Sequence, residues 1–455
     1  MKKYCSLVLC FVLCFSCMLN IGFVNAEEVF YENGYSYTVS LNGRATVTAT
    51  DSALFTGSIT IPDTLGGYPV WEIGEKAFYA NKNITEVTFN DGLRYIRDES
   101  FKICSNLSII NLPSNLAHIG VAAFKSTNIK EVHFPLELSY VGEEAFAECY
   151  KLESVYFESG EDCGSYFSQN VFWNCNALQK VDIPDINNWC GSCGFENGVA
   201  TPFRNGNKLY ANGELVTDLV IEETQIIPDY AFCGMGEINS ISIGPSKNIT
   251  NYLHIGTRAF ADISYVHRLN IHPNYLRTVD YGAFMDTEIL TLDIRDLQLW
   301  CYIDFYDSSA NPISSSHNVL VGGEKIQNFI IPNEVSRIGS YAFANLGITS
   351  VTIPNSVKTI NMTPFYGCDY LTKINYMGTR SQFAVIEGKN YITDYSIQYL
   401  PEIGDIDNDG NINSADLILL RDAIMNGETV DASDINGDGT VDAIDLVKLK
   451  INIAE

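Results

Sequence analysis

Residues 119–135 read Ile-Gly-Val-Ala-Ala-Phe-Lys-Ser-Thr-Asn-Ile-Lys-Glu-Val-His-Phe-Pro, and the two phrases in this stretch recur along most of the chain. The first phrase is an apolar residue and a glycine, followed after three positions by phenylalanine. The second places apolar residues at spacings of three and two and often ends in proline. Alternation over so few residues predicts a short strand with one buried face.

The period of the repeat indicates the architecture. The phenylalanines of the first four units are spaced by 23, 23 and 22 residues, which is a leucine-rich-repeat length. One unit cannot bury its apolar edge alone, so successive units are expected to stack into a solenoid with a continuous core. The repeat phenylalanines are Phe78, Phe101, Phe124, Phe146, Phe232, Phe260, Phe284, Phe343 and Phe365.

The sequence pattern Ala-Phe-x-x-Cys-x-x-Leu, combined with strands that end in Ile-Pro, resembles the BspA-like leucine-rich repeats of bacterial surface proteins. The resemblance implies a β-rich leucine-rich-repeat solenoid, with one short strand per repeat, over residues 71–398. Residues 27–70 lack the repeat phrases but alternate like strands, and we expect them to cap the N-terminal edge.

Cysteine recurs three residues after the repeat phenylalanine, as at Cys104, Cys149, Cys175 and Cys368. Small buried apolar groups explain this placement better than disulfides, although an exported protein could also form disulfides. Two longer units, Val181–Phe232 and Leu292–Phe343, are copies of each other and are predicted to be elaborations that each pack a tryptophan. In the first, Trp189-Cys190-Gly191-Ser192-Cys193 also resembles the redox motif of thioredoxins. The second keeps only Trp300-Cys301, so a structural Trp-Cys pair explains both copies.

The last fifty residues carry a different pattern twice, at residues 405–416 and 434–445. Each copy has oxygen-bearing side chains at positions 1, 3, 5, 9 and 12 and a glycine at position 6, which is the layout of an EF-hand calcium loop. The pattern predicts two calcium ions, with position 7 contributing its backbone carbonyl oxygen. The predicted ligand residues are Asp405, Asp407, Asp409, Asn411 and Asp416 in the first loop and Asp434, Asn436, Asp438, Thr440 and Asp445 in the second.

An apolar helix is predicted after each loop and none before it, and position 12 is aspartate. A duplicated loop–helix unit of this kind resembles the type I dockerin module of cellulosomal proteins. The resemblance implies a small all-α calcium-binding domain at residues 405–455, after a linker at 399–404, that binds the cohesin module of a scaffold protein. The cohesin contacts it implies are Ser414, Ala415 and Arg421 in the first copy and Ala443, Ile444 and Lys450 in the second. Because the two sets of contact residues differ in polarity, we expect one of the two copies to make most of the contacts with the cohesin.

Charge and the N-terminus indicate where the protein acts. The net charge of −27 and the pI near 4.5 argue against a nucleic-acid partner. A basic start at Lys2-Lys3, an apolar run from Leu7 to Leu19 and the sequence Val24-Asn25-Ala26 predict a secretory signal at residues 1–26. An uncleaved anchor is the alternative, but Ser16 interrupts the run. After cleavage we expect an extracellular protein without a membrane segment, associated with a scaffold or a cell surface.

The evidence for an enzyme is weak, because histidines at zinc-site spacing, a Gly-x-Ser-x-Gly motif and a phosphate-binding loop are missing from the sequence. A binding face is better supported. His133, Tyr156 and Asp182 occupy the outward position of consecutive strand phrases, so they form a candidate ligand face. Two functions remain open: a non-catalytic arm that binds polysaccharide, protein or a cell surface, and a cellulosomal hydrolase or peptidase whose site the sequence does not reveal.

Overall fold

The structure is a computed structural model that describes residues 28–158, 165–192, 194–222, 224–244, 252–272, 276–326, 328–400, 403–407, 411–428, 432–435 and 440–454. The predicted signal at residues 1–26, the predicted ligands Asp409, Asn436 and Asp438, and Cys193 lie outside the described residues. Within the described ranges, every helix is too short or too polar to cross a lipid bilayer.

The first of two strand faces, face A, forms at the Ile-Gly phrase. Two-residue strands dominate it, and they pair in parallel from one coil to the next. It is divided into three sheets. Its strands are Tyr68–Ile73, Tyr95–Ile96, His118–Ile119, Tyr140–Val141, Tyr166–Phe167 and Gly194–Phe195, then Ile226–Ile227, Leu253–Ile255, Leu276–Val279 and Asp304–Phe305, then Arg337–Ile338 and Thr359–Ile360.

The second face, face B, forms at the strand phrase that the sequence predicts. Its strands also pair in parallel, in four sheets. They are Gly57–Thr60, Ile84–Thr88 and Ile109–Asn111; Glu131–Phe134, Ser154–Phe157, Lys180–Ile183 and Lys208–Ala211; Asp218–Ile221, Ile238–Ile243, Val266–Ile271, Ile289–Ile294 and Ser316–Val321; and Asn328–Ile330, Ser350–Pro354, Lys373–Met377 and Ser396–Leu400. The predicted solenoid is confirmed, and face A adds a second short strand to most coils.

The core between the two faces is built by repetition. The rings of Phe78, Phe101, Phe124 and Phe146 stack with centroids 4.8–5.3 Å apart and planes within 12° of parallel. Offset stacking of this kind adds to the apolar area that each ring buries. One buried cluster runs from Tyr35 to Ile392, so the coils share a continuous core.

The N-terminal edge of face A is covered by antiparallel strands. Val29–Glu32, Tyr35–Val39 and Ala45–Thr50 pair in order, and Ala45–Thr50 then pairs in parallel with Tyr68–Ile73. The short strand Thr64–Leu65 folds back on Tyr68–Ile73. Within this segment Gly57–Thr60 already pairs in parallel with Ile84–Thr88, so repeat geometry begins before the first recognisable phrase.

The cysteine position has a structural explanation. Cys104, Cys149 and Cys368 are fully or almost fully buried, and each thiol donates to the carbonyl oxygen of the preceding coil's phenylalanine, at 3.1–3.3 Å. All the cysteines in the described part of the chain are free and buried. The prediction of small buried groups in place of disulfides is therefore confirmed for these residues.

The two long units each insert a short helix after a face B strand, and each packs its tryptophan as predicted. Trp189 and Trp300 are buried, and their indole Nε1–H groups donate to Ala231 O (3.1 Å) and Ala342 O (2.7 Å). Each unit ends face B's sheet with an antiparallel return strand. The inserted helices are α1 (Ile186–Ser192) and α2 (Leu297–Trp300), with the 3₁₀ turn Pro312–Ser315, and the return strands are Glu214–Leu215 and Glu324–Lys325.

The chain ends in a separate small core. The last coil carries α3 (Arg380–Ala384) and the 3₁₀ turn Lys389–Ile392. Beyond it, α4 (Ser414–Asn426) and α5 (Ala443–Ala454) pack around Leu420, Ile435 and Leu449. Both helices follow the predicted calcium loops, as the sequence indicates.

Candidate functional site

The first predicted calcium loop ends where α4 begins, and the same residues serve both elements. The Asn413 side chain accepts from Ala415 N at 2.8 Å, and Asp416 Oδ2 accepts from Asn413 N at 2.8 Å. This reciprocal capping box satisfies backbone donors that a helix start leaves open. Gly427 ends the helix in a left-handed conformation with φ +68°.

Asp416 also holds the start of the loop. Its Oδ1 accepts from the N–H of Ile406 at 2.6 Å and of Asp407 at 3.2 Å. The second copy repeats the arrangement, because Asp445 accepts from Ile435 N at 2.7 Å and from Asp442 N at 2.9 Å. The aspartate at position 12 therefore closes its own loop in both copies, a role that the spacing of the motif did not reveal.

Carboxylates converge in the first loop. One oxygen from each of Asp405, Asp407 and Asp416 lies within 4.8 Å of the others. Asp405 and Asp416 are only 1% and 0% exposed. Buried charges of one sign need a cation or a set of hydrogen-bond donors, and a cluster of hard oxygen ligands suits calcium. The described residues thus fit a calcium ion at the first loop.

The other predicted ligands are only partly described. In the first loop Asn411 is described and lies between Asp407 and Asp416 in sequence. In the second loop the described ligands are Asp434, Thr440 and Asp445. Asp445 is fully buried there. The hydrogen-bond roles of Asp416 and Asp445 match, so the described ends of the two loops are held in the same way.

All six residues expected to contact a cohesin are exposed: Ser414, Ala415, Arg421, Ala443, Ile444 and Lys450. The two copies differ around them. In α4, Ile418 and Met425 are exposed, and the Arg421 guanidinium between them in sequence pairs with Asp422 at 2.6 Å. In α5, Ile444, Val447 and Ile451 are 52–59% exposed at helical spacing, so they form an apolar stripe on the surface.

The candidate ligand face brings its three residues together, with one difference from expectation. His133, Tyr156 and Asp182 lie in register on consecutive strands, and the His133 and Tyr156 rings stack with centroids 4.3 Å apart. Asp182 is largely buried, however, because its Oδ1 accepts from Gly213 N at 3.0 Å in the return hairpin. The phrase alone could not predict this, since Gly213 lies 31 residues further along the chain.

The thioredoxin-like stretch lacks a reactive thiol at Cys190. This residue is fully buried in α1, and burial raises the pKa of its thiol above the usual value. Cys301 in the second long unit is buried with a raised pKa in the same way. A redox cysteine instead requires a lowered pKa and partial exposure, so the structural interpretation of the Trp-Cys pair is favoured.

Comparisons with known proteins agree with both parts of the chain. The family model of the BspA type leucine-rich repeat region matches residues 71–200, 206–310 and 316–404, and that of the dockerin type I domain matches residues 403–454. None of the curated proteins matches the sequence.

Several solved structures are similar in part. A leucine-rich repeat protein from Bacteroides ovatus is 18% identical, with 82% of this chain and 99% of that chain covered and a TM-score of 0.42. The pneumococcal vaccine antigen PcpA is 17% identical, with 82% and 98% covered and a TM-score of 0.39. A leucine-rich repeat protein from Bacteroides capillosus is 30% identical over 29% of this chain and 100% of that chain, with a TM-score of 0.26. From the family matches, the chain belongs to the proteins with BspA type leucine-rich repeats, and it ends in a type I dockerin domain.

Proposed function

We propose that this protein is a secreted, non-catalytic cellulosome component. Its dockerin docks in a calcium-dependent manner onto a cohesin module of a scaffold protein, and its solenoid is a binding arm for polysaccharide, protein or a cell surface. Type I dockerins bind calcium and pair with cohesins, so the family supports the docking half of the proposal. The basic, apolar and small-residue sequence of residues 1–26 supports export.

The observation that carries the proposal is the buried carboxylate pair of the first loop. Asp405 and Asp416 are withdrawn from water beside Asp407, in a chain of net charge −27. Without a cation their mutual repulsion would oppose folding of the loop, and with calcium the same oxygens become ligands. We therefore expect two calcium ions, one in each loop, with the ligands named from the sequence.

The second helix is the better docking face of the two copies. Its exposed stripe, Ile444, Val447 and Ile451, offers apolar area that a partner would bury, with Lys450 close by. The first helix also exposes Ile418 and Met425, but the exposed Arg421–Asp422 ion pair lies between them in sequence, and this pair would lose hydration on docking. We infer a single preferred orientation, centred on α5.

The test is a calorimetric titration of the full chain with calcium, then with a panel of cohesins, with and without chelator. Two calcium ions per chain and cohesin binding that the chelator abolishes are the expected results. Asp416→Asn should weaken calcium binding at the first loop at least about 100-fold, because it removes the carboxylate charge and replaces one of the two accepting oxygens by an NH2 group. Asp422→Asn is the matched control, since Asp422 is exposed on the same helix, and it should leave calcium binding unchanged.

Other outcomes would change the assignment. Calcium binding without recognition of any cohesin would make the module a metal-stabilised end of an adhesin. Turnover of a polysaccharide or peptide, lost on substitution of a single carboxylate, would favour the hydrolase or peptidase alternative. Unaltered calcium binding by Asp416→Asn would contradict the ligand assignment.

A further inference from the structure

Face B carries a polar cleft beside the first long unit. Its volume is about 560 Å³, within the range of small-ligand sites. The exposed amides of Asn176, Gln179 and Asn205 line it together with Lys180, Lys208 and Tyr210. Amides that donate and accept, next to an aromatic ring, suit a ligand with many hydroxyl groups.

The two lysines of this cleft differ in their ion pairs: Lys180 pairs with a carboxylate of the described residues and Lys208 does not. The Lys180 ammonium lies 4.7 Å from the ring centroids of both Tyr156 and Tyr210 and pairs with Asp182 at 2.9 Å. Its charge is therefore matched within the protein. Lys208 forms no ion pair with any carboxylate in the described part of the chain. Glu153 is the acidic residue in the described lining. Lys208 is exposed, so its ammonium is available to an anionic group in the cleft.

The second long unit is an internal control for what the fold requires. It keeps the buried tryptophan and the aspartate that holds the return hairpin, since Asp293 accepts from Gly323 N at 3.3 Å as Asp182 does from Gly213 N. The strand register of the second unit places Thr291 where the first unit has Lys180. It places Asn318 at the position of Lys208 and Leu320 at the position of Tyr210. The hairpin thus forms without Lys208 and Tyr210, so these two side chains are not required by the architecture. The ion pair of Lys180 with Asp182 has a counterpart there, because Arg295 pairs with Asp293 at 3.2 Å.

The turn at the cleft differs between the copies as well. Asn205 and Gly206 have φ of +91° and +75°. The second unit instead enters its strand through the 3₁₀ turn Pro312–Ser315. The left-handed conformation of Asn205 recurs two residues after the repeat phenylalanine in other coils, as at Ala80, Ile103 and Ser126, so the first unit keeps the ordinary turn of the repeat where the second unit departs from it. The same turn also lines two neighbouring cavities.

We propose that this cleft binds a uronic acid residue of a wall polysaccharide, with Lys208 pairing with the sugar carboxylate and Tyr210 and the amides contacting the ring and its hydroxyls. This inference rests on the proposed function of the solenoid as a binding arm and specifies its ligand. A neutral glycan would use the ring and the amides but would leave Lys208 without a partner. A single lysine without an internal partner matches the single carboxylate of each uronic acid unit.

The test measures binding of the calcium-loaded full chain to tetragalacturonate and to neutral cellotetraose by calorimetry. Tetragalacturonate should bind at least about tenfold more tightly than cellotetraose, and the preference should shrink as NaCl is raised from about 50 to 500 mM. Lys208→Asn should weaken tetragalacturonate binding about five- to tenfold. The double variant Lys208→Asn and Tyr210→Leu, which installs the second unit's residues at these positions and keeps the Lys180–Asp182 ion pair, should abolish it while its circular dichroism spectrum and unfolding temperature stay near wild type.

The same samples are assayed for cohesin binding, so the two proposals fail separately. Equal affinity for both tetrasaccharides, or full tetragalacturonate binding by the folded double variant, overturns the uronic acid site. Absence of binding to tetragalacturonate with intact cohesin binding also overturns it and leaves docking in place. Loss of cohesin binding alone refutes docking and not the cleft.

Discussion

At the scale of single residues, the repeat cysteines fill a buried apolar position and also donate a hydrogen bond to a backbone carbonyl oxygen. Burial raises the pKa of Cys104 and Cys368 to about 12. An unfolded thiol ionises near pH 9 while the folded thiol stays protonated, so the stabilisation is complete below pH 9 and is lost as pH rises toward 12. We expect the free energy of unfolding to fall between pH 9 and 12, by up to about 1.4 kcal/mol per pH unit for each thiol.

Urea unfolding with a reductant at pH 8, 9.5 and 10.5 measures this loss. Tyrosine and lysine also titrate there, so the informative quantity is the difference between wild type and Cys104→Thr, which installs the residue of the Phe124 coil at the equivalent position. The variant should lose less stability per pH unit. Parallel curves for the two proteins would contradict the buried, protonated thiol.

At the scale of the element, the glycine of the Ile-Gly phrase is explained by the distance between coils. A Cβ on Gly142 would lie 2.6 Å from backbone atoms of Gly120 and Val121 in the preceding coil. We expect Gly142→Ala to lower the free energy of unfolding by about 3 kcal/mol, because backbone cannot yield as a side chain can. Gly347→Ala is the control, since nothing lies within 4 Å of its added Cβ. Equal urea midpoints for the two variants would refute close approach as the reason for the glycine.

Some secondary-structure elements could be predicted from the sequence and others could not. The face B strands, the two long units and the calcium loops were predicted, because each repeats a pattern of side chains whose spacing has a physical cause. Face A was not predicted as strands, since two residues such as Tyr140–Val141 are too short to show a period. Lys208 and Tyr210 were missed because they lie in the longer unit, outside the repeated phrases. Their importance depends on the fold of a hairpin and on Lys180, 28 residues away from Lys208 in sequence.

At the scale of the whole molecule, the chain has two apolar cores that share no residue, one in the solenoid and one in the dockerin. Their charge differs as well, because residues 402–455 contain 13 acidic and 3 basic side chains. The dockerin core is small, with three fully or nearly buried apolar residues around which the rest pack. Its stability should therefore depend on calcium, whereas the stability of the solenoid comes from its continuous core.

Differential scanning calorimetry of the full chain should accordingly show two transitions. Calcium at about 1,000 times its dissociation constant stabilises the site that binds it by about 4 kcal/mol, so excess chelator should move the smaller transition to a lower temperature or abolish it. The larger transition should stay in place, since the calcium loops lie outside the solenoid core. Asp416→Asn should imitate the chelator and Asp422→Asn should not. A single transition that shifts as a whole with chelator would show that the two cores unfold together, and the dockerin would then be part of the solenoid's cooperative unit.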